Sequence, residues 1–182
     1  MALKPTIYKF SIAISDLNQH YYETLNLTVA QHPSETAERM MARLMAFCLH
    51  ASDDPEQLMA FTKGLSSPDE PDIWLRSLDD VLHLSIDMGE PSGERAKKAS
   101  RLAKHAYIYS FNSKSDVWWR QSEAELSRLP INVRQFEWAQ IQALSQSLQR
   151  TMSLSLTITE QSIYVAMPDA QCEVQWTVLQ SV

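Results

Sequence analysis

Residues 69–89 read Asp69-Glu70-Pro71-Asp72-Ile73-Trp74-Leu75-Arg76-Ser77-Leu78-Asp79-Asp80-Val81-Leu82-His83-Leu84-Ser85-Ile86-Asp87-Met88-Gly89, and their alternation decides the fold. Two runs, 72–78 and 81–88, flank Asp79-Asp80, which predicts a β-hairpin. Centred there, the hairpin sets Asp72 opposite Asp87, Trp74 opposite Ser85 and Arg76 opposite His83. Side chains alternate across a strand, so these six share one face, and Ile73, Leu75, Leu82, Leu84, Ile86 and Met88 share the other. A two- or four-residue loop keeps that register, whereas a three-residue loop breaks it. One face belongs to a core; the other brings two carboxylates to the open end of the hairpin.

Like charges directly opposite destabilise a sheet unless a cation or a shared proton lies between them. A hard divalent ion, Mg²⁺ or Mn²⁺, suits a carboxylate pair and keeps waters for chemistry. Two solvated acids at the end of a hairpin are the plain alternative. A turn at Pro91-Ser92-Gly93 then leads into a helix over 94–104, and residues 95–104 carry Arg95, Lys97, Lys98, Arg101 and Lys104 with no acid. The start of this helix lies near the carboxylates, and Arg95 and Lys98 share one of its faces. A cationic side chain reaching over the acids would stabilise a phosphoryl transition state or position a water. The alternative is a solvated basic helix balancing an acidic hairpin.

Upstream, His32-Pro33-Ser34-Glu35 opens a helix in which Ala37, Met40, Met41, Leu44, Met45 and Cys48 form an apolar stripe. Glu38, at the edge of that stripe, is the third candidate metal ligand. It ranks above Glu35, whose place suits electrostatics at a helix start. Alternating residues at 6–15 and 24–30 predict an N-terminal hairpin, and the apolar run 106–111 predicts a central strand buried on both faces. A helix from Lys114, a strand at 131–136, a helix at 137–149 and strands at 151–158, 162–167 and 172–179 complete the order. The expectation is one mixed α/β domain over residues 1–182, with the terminal hairpins forming an additional antiparallel sheet.

Composition removes several function classes. The 182 residues hold three glycines, and their spacing makes neither a dinucleotide-binding fingerprint nor a P-loop. Two cysteines cannot build a four-cysteine zinc site, and the five histidines show no paired metal spacing. No serine sits in GxSxG. Cys48 reads as a core thiol, and Trp118, Trp119 and Trp176 as core or interface anchors. No membrane-spanning run and no signal peptide are evident, so the expected location is cytoplasmic with no membrane partner. The net charge of −6 hides a local reversal: residues 69–90 hold seven acids and one base, and the basic segment follows at once.

His32-Pro-Ser-Glu-Thr-x-Glu-Arg-Met-Met41, Phe61-Thr-x-Gly-Leu65, Asp69-Glu-Pro-Asp-x-Trp-Leu-Arg76, Asp87-x-Gly89 and Arg95-x-Lys-Lys-Ala99 resemble the YaeQ family of Gram-negative bacteria, over nearly the whole chain. The resemblance implies a variant of the PD-(D/E)XK restriction-endonuclease-like core, with Pro71-Asp72 and Asp87-Met88 as its signature elements. It further implies metal held by Asp72, Asp87, a helix glutamate (Glu38) and a backbone carbonyl (Met88). The position where that superfamily keeps its lysine is Gly89. The lysine has then either migrated to the next helix, as Lys98, with Lys97 or Arg95 next, or catalysis has been lost. The first expectation is a Mg²⁺- or Mn²⁺-dependent phosphodiesterase acting on nucleic acid, with Asp72, Asp87 and Lys98 catalytic and Arg76, Arg95 and Lys97 contacting substrate. The second is a non-catalytic module that binds nucleic acid or a protein partner.

Overall fold

In the computed structural model, which describes residues 3–182, the chain begins with two eleven-residue strands. These are β1 (Thr6–Asp16) and β2 (Tyr21–Gln31), paired antiparallel as the alternation predicts. Helix α1 (Ala37–Leu49) starts later than the Pro33 signal suggests. Thr36 is its N-cap, its hydroxyl accepting the Arg39 N–H at 3.2 Å, so Glu35 lies outside the helix. A three-residue strand, β3 (Met59–Phe61), follows; it is too short for any periodicity to reveal.

The decisive hairpin is β4 (Ile73–Arg76) and β5 (Leu82–Met88). Ile73, Trp74 and Leu75 pair with Ile86, Ser85 and Leu84, in the expected register. Arg76, however, pairs with Leu82 and not with His83. Leu78-Asp79-Asp80 form a three-residue loop, closed by the Ser77 N–H on the Val81 carbonyl at 3.0 Å, with Asp80 left-handed at φ 66°. A bulge that leaves His83 without an opposite residue absorbs the one-residue offset, and the register at the acids survives.

After it come α2 (Gly93–Leu102), β6 (His105–Ser110), α3 (Ser115–Leu126), β7 (Asn132–Phe136), α4 (Trp138–Gln146), β8 (Thr151–Thr159), β9 (Ser162–Ala166) and β10 (Gln171–Gln180). The expected separate antiparallel sheet from the terminal hairpins is not formed. All ten strands lie in one mixed sheet, ordered β2-β1-β8-β9-β10-β7-β6-β5-β4-β3. The reason is twofold: β1 pairs parallel with β8, and β10 is long enough to pair with β9 through residues 171–175 and with β7 beyond. Strand β6 is central, with parallel neighbours on both sides.

Two apolar clusters fix the layers. Ala96 and Ala99 of α2 and Leu126 of α3 pack with Ala106, Ile108, Ile131 and Val133 on one face. The other cluster holds α1 and α4 together with Ile86, Tyr109 and Phe136, and also Phe10, Ile12, Leu154 and Leu156 from the opposite half of the sheet. Every residue from Met40 to Cys48 is buried, so α1 is enclosed rather than half-wet. The ends of α1 and α2 are thereby brought to the open end of the β4–β5 hairpin.

Candidate functional site

Asp72, just before β4, and Asp87, near the end of β5, are each 3% exposed. Their partners come from helices on opposite faces of the sheet. Asp72 Oδ1 accepts from Arg39 Nη2 at 2.6 Å, and its Oδ2 accepts the Met88 backbone N–H at 2.8 Å. Asp87 Oδ1 accepts from Arg95 Nε at 2.9 Å and Nη2 at 2.7 Å. Burial pushes the Asp87 carboxyl above its ordinary pKa against the pull of Arg95, and the Asp72 charge adds to the rise.

The third acid is Glu35, not Glu38. Freed from the helix by the Thr36 cap, Glu35 turns inward and accepts from Arg39 Nη1 at 2.9 Å, Arg43 Nε at 3.0 Å and Arg43 Nη2 at 2.8 Å. Glu38 sits in the first turn of α1 and makes no hydrogen bond or ion pair among the described residues. The signal that could have found Glu35 is the spacing Glu35-x-x-x-Arg39-x-x-x-Arg43, one acid just ahead of a helix that carries two bases on one line. Three buried carboxylates therefore meet three guanidiniums: Glu35, Asp72 and Asp87 with Arg39, Arg43 and Arg95.

The remaining expected residues lie elsewhere. Lys98 reaches the exposed Asp69 at 3.0 Å and not the buried acids. Lys97 is exposed on the outer face of α2. Arg76 pairs with Asp80 at 3.0 Å and stacks over Trp74 at 4.8 Å, at the turn end of the hairpin. Arg95 has a second task, donating to the Pro68 carbonyl at 2.6 Å and the Glu70 carbonyl at 2.7 Å. With Lys98 it clamps the loop before β4 onto α2.

The sequence model described as YaeQ protein matches residues 1–176. The chain belongs to the YaeQ family. An uncharacterised YaeQ protein of Salmonella typhi is 36% identical over 182 residues, covering 99% of this chain and 98% of the relative. One from Escherichia coli (strain K12) is 35% identical with the same coverage. The crystal structure of the YaeQ protein from Xanthomonas axonopodis pv. citri superposes with a TM-score of 0.92 at 30% identity, over 98% of this chain and 99% of that one. That of the Pseudomonas syringae YaeQ protein gives 0.90 at 31%, over 98% and 97%.

In this YaeQ chain the donor set does not suit a divalent ion as it stands. A hard cation takes six or more oxygen ligands, whereas Asp72 and Asp87 each already carry a guanidinium. Among the described residues no group of three His, Cys, Asp or Glu side chains could hold a metal. Gly89 has φ +94°, a conformation that a lysine adopts only with strain. Among the described residues no helix is long and apolar enough to cross a membrane.

Proposed function

We propose that this YaeQ protein is a non-catalytic binding module on a nuclease-like layout, with nucleic-acid phosphates as its target. The observation that carries the reading is the pairing of three buried carboxylates with three guanidiniums, which offsets the charge of the acids without a metal ion. Lys98 turned away from the acids and glycine at position 89 support it. The phosphate target rests on α2, where Lys97 and Arg101 are exposed and have no ion-pair partner among the described residues. Lys98 is held only by a surface pair, which a phosphate exchanges at little cost.

The test combines binding and cleavage on DNA and RNA. Expected are an affinity that falls steeply with salt, its loss in the double variant Lys97→Glu/Lys98→Glu, and intact substrate after incubation with Mn²⁺. Cleavage that Asp87→Asn abolishes would replace this reading with an enzyme. Absence of nucleic-acid binding would point to a protein partner instead. One feature favours the metal-dependent nuclease as a second reading: Asp87 Oδ2 accepts no hydrogen bond from the described residues, beside a carboxylate of like charge. Thermal unfolding with millimolar Mn²⁺ decides it, since an ion bound only by the folded state raises the transition and Asp72→Ala removes the rise. No shift would remove that reading.

A further inference from the structure

At the C-terminal end of α1, opposite to Arg39, a cavity of about 330 Å³ opens between the β1–β2 turn, the β8–β9 turn and strands β6 and β7. Its inner wall is a hydrogen-bonded chain. Arg134 Nη1 donates to the Tyr109 hydroxyl at 2.9 Å, so that hydroxyl turns its own proton to His50 Nε2 at 2.8 Å, and His50 Nδ1–H then donates to Asp53 Oδ2 at 2.8 Å. This requires neutral His50, and burial lowers its pKa in agreement. The two turns above are tied together, Asn18 Nδ2 donating to the Glu160 carbonyl at 3.0 Å and the Glu160 N–H to Asn18 Oδ1 at 2.9 Å. The cavity is thus built from fixed parts.

Arg134 is the anomaly. Five arginines are not fully exposed, and Arg39, Arg43, Arg76 and Arg95 each have a carboxylate partner. Arg134 has none among the described residues, and beyond the bond to Tyr109 its N–H groups find no acceptor there. It lies over the rings of Tyr107 and Tyr109, at 5.1 and 5.8 Å, facing the cavity. The Tyr107 hydroxyl, on the same wall, also has no hydrogen-bond partner among the described residues. A guanidinium held flat with unused donors fits a carboxylate in bidentate contact.

Asp53, at the far end of the hydrogen-bonded chain with its side chain 57% exposed, and Glu160 also line the cavity; buried Asp16 is occupied by the N–H groups of Asn18 and Gln19. Three acids against one guanidinium repel a dianion such as phosphate, but they favour a ligand that is negative at one end and positive at the other. We propose that this cavity binds a small zwitterion of the α-amino-acid type, its carboxylate on Arg134 and Tyr107 and its ammonium toward Asp53 and Glu160. The site is independent of the nucleic-acid reading, because it lies at the other end of α1.

The experiment is calorimetric titration of the full chain with each common α-amino acid, followed by the amide and N-acetyl forms of any that binds, with inorganic phosphate as the control. Binding by at least one amino acid is expected, weakened about tenfold or more by removing either charge and by Arg134→Gln, since a charge-assisted hydrogen bond contributes on that order. If Arg134→Gln does not fold, Tyr107→Phe replaces it, because it deletes only an unpartnered hydroxyl; a several-fold loss is expected. No binding by any amino acid, phosphate binding more tightly, or affinity unchanged in the variants would each overturn the proposal.

Discussion

At Gly89 the obstacle to a lysine is the backbone. A Cβ built there would meet Phe111 Cε1 at 3.9 Å, an ordinary contact, while φ +94° is strained for any L side chain. Gly89→Ala and Gly89→Lys should therefore both lose about 1–3 kcal/mol of unfolding free energy, by nearly the same amount, as read from urea midpoints. A much larger loss for lysine would mean that space, not conformation, is limiting. Asp87 offers a pH test. Its folded carboxyl titrates above the ordinary 3.8, so between those two values the folded chain binds the additional proton and stability falls as pH rises. Asp87→Asn removes that contribution, and the variant's unfolding free energy should decline less than the parent's from about pH 4 upward. An unchanged slope would show that Asp87 titrates normally.

At the scale of the element, the Thr36 cap explains how two neighbouring glutamates come to opposite fates. Thr36→Ala should cost about 1 kcal/mol and loosen the Glu35–Arg39–Asp72 chain, measurable as a lower thermal midpoint; no change would mean that Glu35 is anchored by its arginines alone. Much of the fold was legible at this scale. The alternation of 6–15, the apolar run 106–111 and the hairpin around Asp79-Asp80 all form strands, because period and burial agree there. Strand β3 was hidden by its length, and the His83 bulge because one residue of offset leaves no mark in composition. At the site, the two aspartates were legible from the register expected around Asp79-Asp80, which survives the three-residue loop only because of the His83 bulge. Of their arginine partners, Arg95 belongs to the basic helix face expected to reach over the acids, whereas Arg39 was not legible, because β3 separates its helix from β4 and only tertiary packing brings it to Asp72.

Across the whole molecule, α1 joins what the sheet order separates. Met41 is fully buried in a cluster that takes side chains from both halves of the sheet. Met41→Ala should cost about 2–5 kcal/mol, and both halves should unfold together, with tryptophan fluorescence and far-ultraviolet circular dichroism reporting one midpoint. Separate midpoints would show that the halves are coupled only through β10. The location of the extra strands was the main misreading of the sequence. Local alternation identifies a strand such as β8 but says nothing about whether its neighbour is β9 alone or also β1, since that pairing spans most of the chain.

That pairing has a consequence during synthesis. Strand β1 leaves the ribosome well before its parallel partner, which from Thr151 onward emerges only after the whole α/β half has been made. Until then the nascent hairpin presents an unpaired strand edge beside an apolar face, the kind of surface that recruits other chains. The segment from β8 onward thus closes over strands made before the α/β half, and a ribosome that stalls before β8 would release a product with that edge still open.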